Sequence, residues 1–319
     1  MIWLTWRQHR AEAFVVAAAL ALLALVLILT GREMAAAFQQ FNLADCLAHP
    51  DHPNCAEALH QFREQYGFWV SASGWLNFAP ALLAILVGAP LVARELEHGT
   101  QRMIWTQSVA KPRWLAVKLA LVLGVALLAA GILTLLMIWW RTESDAISGR
   151  LSPLGFGFEG TVPLGYMAFA LALAIAAGTL LRRAIPAMVI TLAGFLAVRL
   201  PVELLLRPHY QPPLTLSADP LVNTQAVSDQ AWVLDSGFMD AHGGHLEFSQ
   251  VINTCAPPGS AVAKSDIFQC AHAHGWLQYV TFQSPDRFWA FQGIETAIFL
   301  GLAAALLAFT VYWVRRRIS

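Results

Sequence analysis

The stretch LALVLGVALLAAGILTLLMIWW at residues 119–140 holds no charged residue across 22 positions. A bilayer's hydrocarbon core of about 30 Å needs roughly 20 apolar residues in a helix, so this run alone is long enough to cross. Five more runs are of the same kind, at 13–30, 74–92, 161–181, 184–206 and 288–314. Only helices and closed barrels satisfy their own backbone in lipid, and unbroken apolar runs read as helices rather than alternating barrel strands. The expected fold is an all-α membrane protein with six transmembrane helices.

Composition agrees with that reading. The 319 residues are 57% hydrophobic and only 13% charged, where a soluble domain carries about 25% charged residues. Lys+Arg and Asp+Glu balance at 20 each, which excludes a globally basic nucleic-acid binder and an acidic disordered chain. The first run competes with a signal peptide, since Arg7 and Arg10 precede it and Ala35–Ala37 imitates a cleavage site. Its 18 apolar residues exceed the usual 7–15, and Arg32 and Glu33 come before those alanines, so an uncleaved helix is expected.

The basic residues give an orientation. Twelve of them fall in the 45 residues of 1–12, 93–118, 182–183 and 315–319, and seven in the 144 residues of 31–73, 141–160 and 207–287. Cytoplasmic loops carry the excess of Lys and Arg, so both termini are expected in the cytoplasm of a plasma-membrane protein. All four cysteines, Cys46, Cys55, Cys255 and Cys270, lie in the loops this assigns to the outside, where disulfides persist. Short separations favour Cys46–Cys55 and Cys255–Cys270. A Cys/His metal site with His49, His52, His242, His245, His272 or His274 is the rival, although Cys270-Ala-His272-Ala-His274 matches no standard zinc spacing. Trp75, Trp114, Trp139, Trp140, Trp289 and Trp313 lie near span ends, as an aromatic belt requires. Trp3, Trp6 and Arg7 suggest a short interfacial helix ahead of the first span.

Few charges remain at membrane depth. Arg199 and Glu203 sit four apart on the fifth span with Pro201 between them, and Glu295 lies seven residues into the sixth. At about 1.5 Å per residue, Arg199 and Glu295 share a depth of roughly 10 Å below the outer boundary. Charges there face the bundle interior and pair. A cluster of Arg199, Glu203 and Glu295 is expected, lining the outer pathway or a permease–permease interface, or serving as a structural ion pair.

The one sizeable cytoplasmic loop reads Arg94-Glu95-Leu96-Glu97-His98-Gly99-Thr100-Gln101-Arg102 and continues through Ser108, Lys111, Pro112 and Arg113. Gly99 can end a helix in the left-handed conformation, and Ser108 can cap the next. The result is a short helix-turn element presenting Glu95 and Glu97, or simply a connection between two spans.

The Glu95-x-Glu97-x-Gly99-Thr100 core with the Lys-Pro-Arg cluster beyond it resembles the permease subunits of ABC-2 type transporters. The opening Trp3-Leu4-Thr5-Trp6-Arg7-Gln8-His9-Arg10, the stretch Phe282–Glu295 and the tail Arg315–Arg317 resemble actinobacterial permeases of that group. The resemblance implies a non-catalytic membrane subunit, paired with a separate ABC ATP-binding subunit and with a second permease copy or a homologous permease. The complex would export an amphiphilic drug, lipid or peptide. ATP and Mg would sit on the partner, and Arg94, Glu95, Glu97, Gly99 and Thr100 would couple to it. The chain has no Gly-x-x-x-x-Gly-Lys-[Ser/Thr] phosphate loop.

The chain departs from the family in one respect. The loop at 207–287 spans 81 residues, where relatives hold short re-entrant helices. It is expected to form an irregular, disulfide-stapled extracellular cap with short helices. The domains are then 1–206 with the coupling loop 93–118, the cap 207–287, and 288–319 with the last span and basic tail.

Other classes fit less well. External hydrolysis or metal catalysis would use Asp235, Asp240, His242, His245 and Glu247, but no His-Glu-x-x-His or Gly-x-Ser-x-Gly occurs. An ATP-independent carrier would want more buried ionisable groups and an internal repeat. A sensor would bind a ligand through the cap alone. The substrate itself is not readable from the residues.

Overall fold

The computed structural model describes residues 2–49, 52–89, 111–221, 230–256 and 264–317. Among these, six helices are long and apolar enough to cross a membrane: Phe14–Gln40, Cys55–Leu86, Leu119–Ser148, Val162–Leu181, Ala184–His209 and Pro285–Arg316, spans 1 to 6. The chain is a multi-pass helical membrane protein. It divides into two compact units, one of Met1–Glu143, Leu154–Arg207 and Trp289–Ser319, the other of Ser144–Pro153 and Pro208–Phe288.

In the first unit, span 4 is the central helix, buried on every side from Val162 to Thr179. Its run of Ala and Gly lets neighbouring backbones approach. A Cβ at Gly88 of span 2 would stand 3.0 Å from Ala174, and one at Gly194 of span 5 would stand 3.0 Å from Leu173. Span 4 ends where Arg182 enters the left-handed region at φ 53°, its N–H donating to Gly178 O at 3.0 Å. Span 5 then starts at Ala184. Aliphatic side chains such as Leu22, Val125, Leu128, Ile185 and Leu204 stay exposed, the side chains that lipid would cover.

Several helices outrun their apolar stretches. The first is continuous from Ile2 to Gln40, so residues 2–12 extend span 1 instead of forming a separate interfacial helix. Span 2 already begins at Cys55. The segment 31–73, read as a loop from its charges, is therefore mostly helix. Its two arms are joined by Tyr66 Oη donating to Glu33 O at 3.1 Å and by the edge-to-face rings of Phe38 and Phe62. The disulfide Cys46–Cys55 closes the turn between them. Spans 1 and 3 interlock at Gly31, where a Cβ would meet Trp139 at 2.8 Å and Trp140 at 2.9 Å, and Trp140 Nε1 donates to Thr30 Oγ1. Trp140 is thus core, whereas Trp75, Trp139 and Trp289 are exposed.

Two spans are irregular. Span 2 passes from α-helix into a 3₁₀ stretch, Gly74–Phe78, then a short α segment with Pro80 near its start, then a π-turn at Ala84–Gly88. Span 5 changes from α to π at Val202–Leu206, just after Pro201. In both, proline removes an N–H from the helical ladder.

The second unit corrects the all-α expectation. It contains a four-stranded antiparallel sheet of β1 (Leu214–Ala218), β2 (Trp232–Met239), β3 (His245–Leu246) and β4 (Leu277–Gln283), in the order β1-β4-β2-β3. β4 is central, pairing Leu216 with Val280 on one side and Ser236 with Val280 on the other. The described part of the segment is built from three strands, then two helices, Phe248–Cys255 and Lys264–Ala273, then the fourth strand, rather than from irregular chain. The second disulfide, Cys255–Cys270, joins those helices and belongs to the region between spans 5 and 6, while Cys46–Cys55 lies between spans 1 and 2.

Replacing Cys255 and Cys270 with serine is expected to cost the second unit about 3 kcal/mol, the loop entropy of roughly 15 residues. Limited proteolysis in increasing urea should cut within 230–288 at lower urea than in the wild type. An unshifted cleavage midpoint would contradict that contribution.

Candidate functional site

The first unit buries a network of charged and polar side chains drawn from spans 2, 4, 5 and 6. Glu295 on span 6 accepts from Arg207 twice, Nε to Oε2 and Nη2 to Oε1, each at 2.8 Å. It also accepts from Tyr166 Oη of span 4. Arg207 Nη2 donates to that same phenol oxygen at 3.1 Å. Glu203 lies between two arginines, 3.5 Å from Arg199 Nε and 3.6 Å from Arg207 Nη1. Arg199 reaches across to span 2, where Nη1 donates to Asn77 O and Nη2 to Asn77 Oδ1 at 2.7 Å. Its guanidinium carbon stands 4.3 Å from the Tyr166 ring centroid, and that of Arg207 stands 4.5 Å from Phe156.

Arg199, Arg207 and Glu295 are at most 2% exposed, and Glu203 is 22% exposed. An isolated buried ion loses several kcal/mol of hydration. Here two guanidinium groups and two carboxylates cancel, and aromatic faces cover the cations. The structure therefore brings together all three charges anticipated at this depth, Arg199, Glu203 and Glu295. It adds Arg207, which was assigned to the outer loop, and the uncharged Tyr166 and Asn77. Arg207 belongs to span 5 because the π-turn is followed by a 3₁₀ turn, Arg207–His209, that keeps the chain helical. A second buried pair was also missed, with Arg141 Nε 3.9 Å from Glu159 Oε1.

The segment before span 4 packs against this network. Gln292 of span 6 caps that helix from outside, its Oε1 accepting from Thr161 N and Val162 N at 3.0 Å each. Its Nε2 donates to Phe156 O at 3.0 Å. Gly160 takes φ 64° directly beneath Gln292, and Gly157 lies against Asn77 and Arg199. A narrow apolar cleft opens beside Asn77, Gly157 and Tyr166, walled by Leu83, Met137 and Met167.

The remaining anticipated residues fall elsewhere. Arg94, Glu95, Glu97, Gly99 and Thr100 lie outside the described residues, as does the loop around them from 90 to 110. In the second unit, Cys255, Cys270 and His274 are close enough to share a metal ion, but the two sulfurs are bonded to each other. That leaves neither thiolate as a ligand. Asp240 folds a turn, its Oδ1 accepting from His242 N and Gly244 N, and those amides hold its carboxyl below the usual range. Asp219 is held low by the Leu221 amide and by His272, whose Nδ1 lies 2.8 Å away. Burial and a hydrogen bond to Asp235 push the Tyr279 phenol up. These contacts fold turns and strands, and they converge on no common reacting point.

The first unit thus combines long apolar helices with a buried charge network and an apolar cleft. The family described as ABC-2 membrane transporter related matches residues 17–207, and the chain belongs to it. Permeases of that family are typically non-catalytic membrane subunits, and they usually work with an ATP-binding subunit. No curated protein and no solved structure matches the chain.

Proposed function

We propose that the chain is the transmembrane subunit of an ATP-driven exporter that moves an amphiphilic substrate out of the cell. The observation that carries this reading is the family match over residues 17–207, which includes the acidic loop from Arg94 to Thr100. A separate ABC subunit binds ATP and Mg, and its closure acts on Glu95, Glu97, Gly99 and Thr100. Two permeases, identical or homologous, enclose the pathway in the plasma membrane with their termini in the cytoplasm. Nucleotide-driven motion of the loop tilts spans 2 and 3 and switches the bundle between two arrangements. The unit built on 208–288 forms an extracellular cap.

Reversing one coupling charge tests this directly. Glu97→Arg places like charge where an acidic contact is required, and it should cut permease-stimulated ATP turnover about tenfold or more while leaving the subunits associated. Turnover unchanged from wild type would remove Glu97 from the coupling surface.

A further inference from the structure

Besides packing against it, span 2 is hydrogen-bonded to span 5 through Arg199. Both Nη atoms of Arg199 donate to one residue, Asn77, through its backbone oxygen and its side-chain oxygen. Asn77 sits in the 3₁₀ stretch of span 2. In that pattern its carbonyl would be paired with the N–H of residue 80, which is Pro80 and has none. The arginine thus occupies an acceptor that the irregular helix leaves open. Gly157 closes over the same spot, where a Cβ would lie 3.1 Å from Arg199 Nη2 and 3.3 Å from Asn77 Cγ.

We propose that Asn77 and Arg199 form a latch that holds the apolar cleft shut and opens in each transport cycle. Three of the cleft's lining residues, Asn77, Gly157 and Tyr166, also belong to the latch or touch it. Release leaves no uncompensated ion, because Arg199 keeps Glu203 at 3.5 Å and the Tyr166 ring at 4.3 Å. Asn77, being uncharged, can depart where a carboxylate could not. Span 2 precedes residues 90–110 in the chain, the segment to which the exporter reading assigns the coupling. Span 2 has 3₁₀ and π geometry on the two sides of Pro80, and such mid-helix stretches often mark a functional hinge. The transport-cycle part of the proposal rests on the exporter reading above.

Two measurements test it, one without the partner. In the chain alone, Met137→Cys, at a cleft position only 1% exposed, should react slowly with a small maleimide. Adding Arg199→Gln should raise that rate about tenfold, the size of one lost charge-assisted hydrogen bond, with Asn77→Ala giving a smaller rise. Unchanged labelling in both variants overturns the latch. In the complex with its ATP-binding subunit, Asn77→Cys with Gly157→Cys should form a disulfide, since the new Sγ at 77 would take the place of Asn77 Cγ, 3.3 Å from a Cβ at 157, about the distance from a sulfur to the Cβ across the bridge. The cross-linked complex should lose at least about nine-tenths of its ATP turnover and regain it on reduction. Full turnover with the bridge formed also overturns the latch. A wild-type complex without ATP turnover contradicts the exporter reading instead, and the labelling result then decides the latch by itself.

Discussion

Glu295→Ala is expected to destabilise the first unit by about 3–5 kcal/mol, the usual cost of stripping one partner from a buried ion pair. The size follows from what the carboxylate holds. It receives both hydrogen bonds from Arg207 and one from Tyr166. Without it, the carboxylate left beside Arg207 is Glu203, 3.6 Å from Nη1, with the Tyr166 phenol and the Phe156 ring as uncharged partners. The variant should give much less monodisperse protein in mild detergent and a lower unfolding temperature. Replacing both members, Glu295→Leu with Arg207→Met, restores charge balance, since Arg199 and Glu203 still offset each other. The double variant should therefore be more stable than either single one. Additive losses would show that the two side chains do not form an energetic unit.

The second large effect is expected at Gly160. Its φ of 64° lies in the left-handed region, where a side chain costs about 1–2 kcal/mol. A Cβ there would also come within 2.6 Å of Gln292 Oε1. Displacing Gln292 would leave the N–H groups of Thr161 and of the buried Val162 without their acceptor, at about 1–3 kcal/mol for the buried orphan donor. Gly160→Ala should thus lose about 2–5 kcal/mol in all. Gly293→Ala makes the control: it lies one residue from Gln292, meets nothing within 4 Å and has no positive φ. It should stay within about 0.5 kcal/mol of wild type. Thermal unfolding of both variants in the same detergent separates a backbone requirement at 160 from general sensitivity of the region.

The sequence exposes the spans because hydropathy over 18 or more residues is a strong and local signal. It misplaces their ends because the helices continue through charged turns. Arg32 and Glu33 stop the apolar run, yet Met34-Ala35-Ala36-Ala37 continues the first helix to Gln40. Arg207 illustrates a signal that was present and unused. Arg199, Glu203 and Arg207 repeat every four residues, which places them on one helical face, and only the end of the leucine run argued against extending the span. The strands were harder to see. LQYVTFQ at 277–283 carries the β-branched and aromatic residues of a strand, but its partners lie about 40 and 65 residues away along the chain. Prolines at 208, 212, 213 and 220 made the surrounding segment read as irregular. Asn77 and Gly157 gave no signal at all, since their role depends on Arg199 arriving from 122 positions away for the first and 42 for the second.

The proposed exporter stands or falls on its partner. Affinity purification of the full chain in mild detergent, after coexpression with ABC ATP-binding subunits from the same genome, should recover one of them in equal amount. That subunit should hydrolyse ATP faster in the complex than alone. A chain that purifies without any of them, and leaves their ATP turnover unchanged, would contradict the permease assignment.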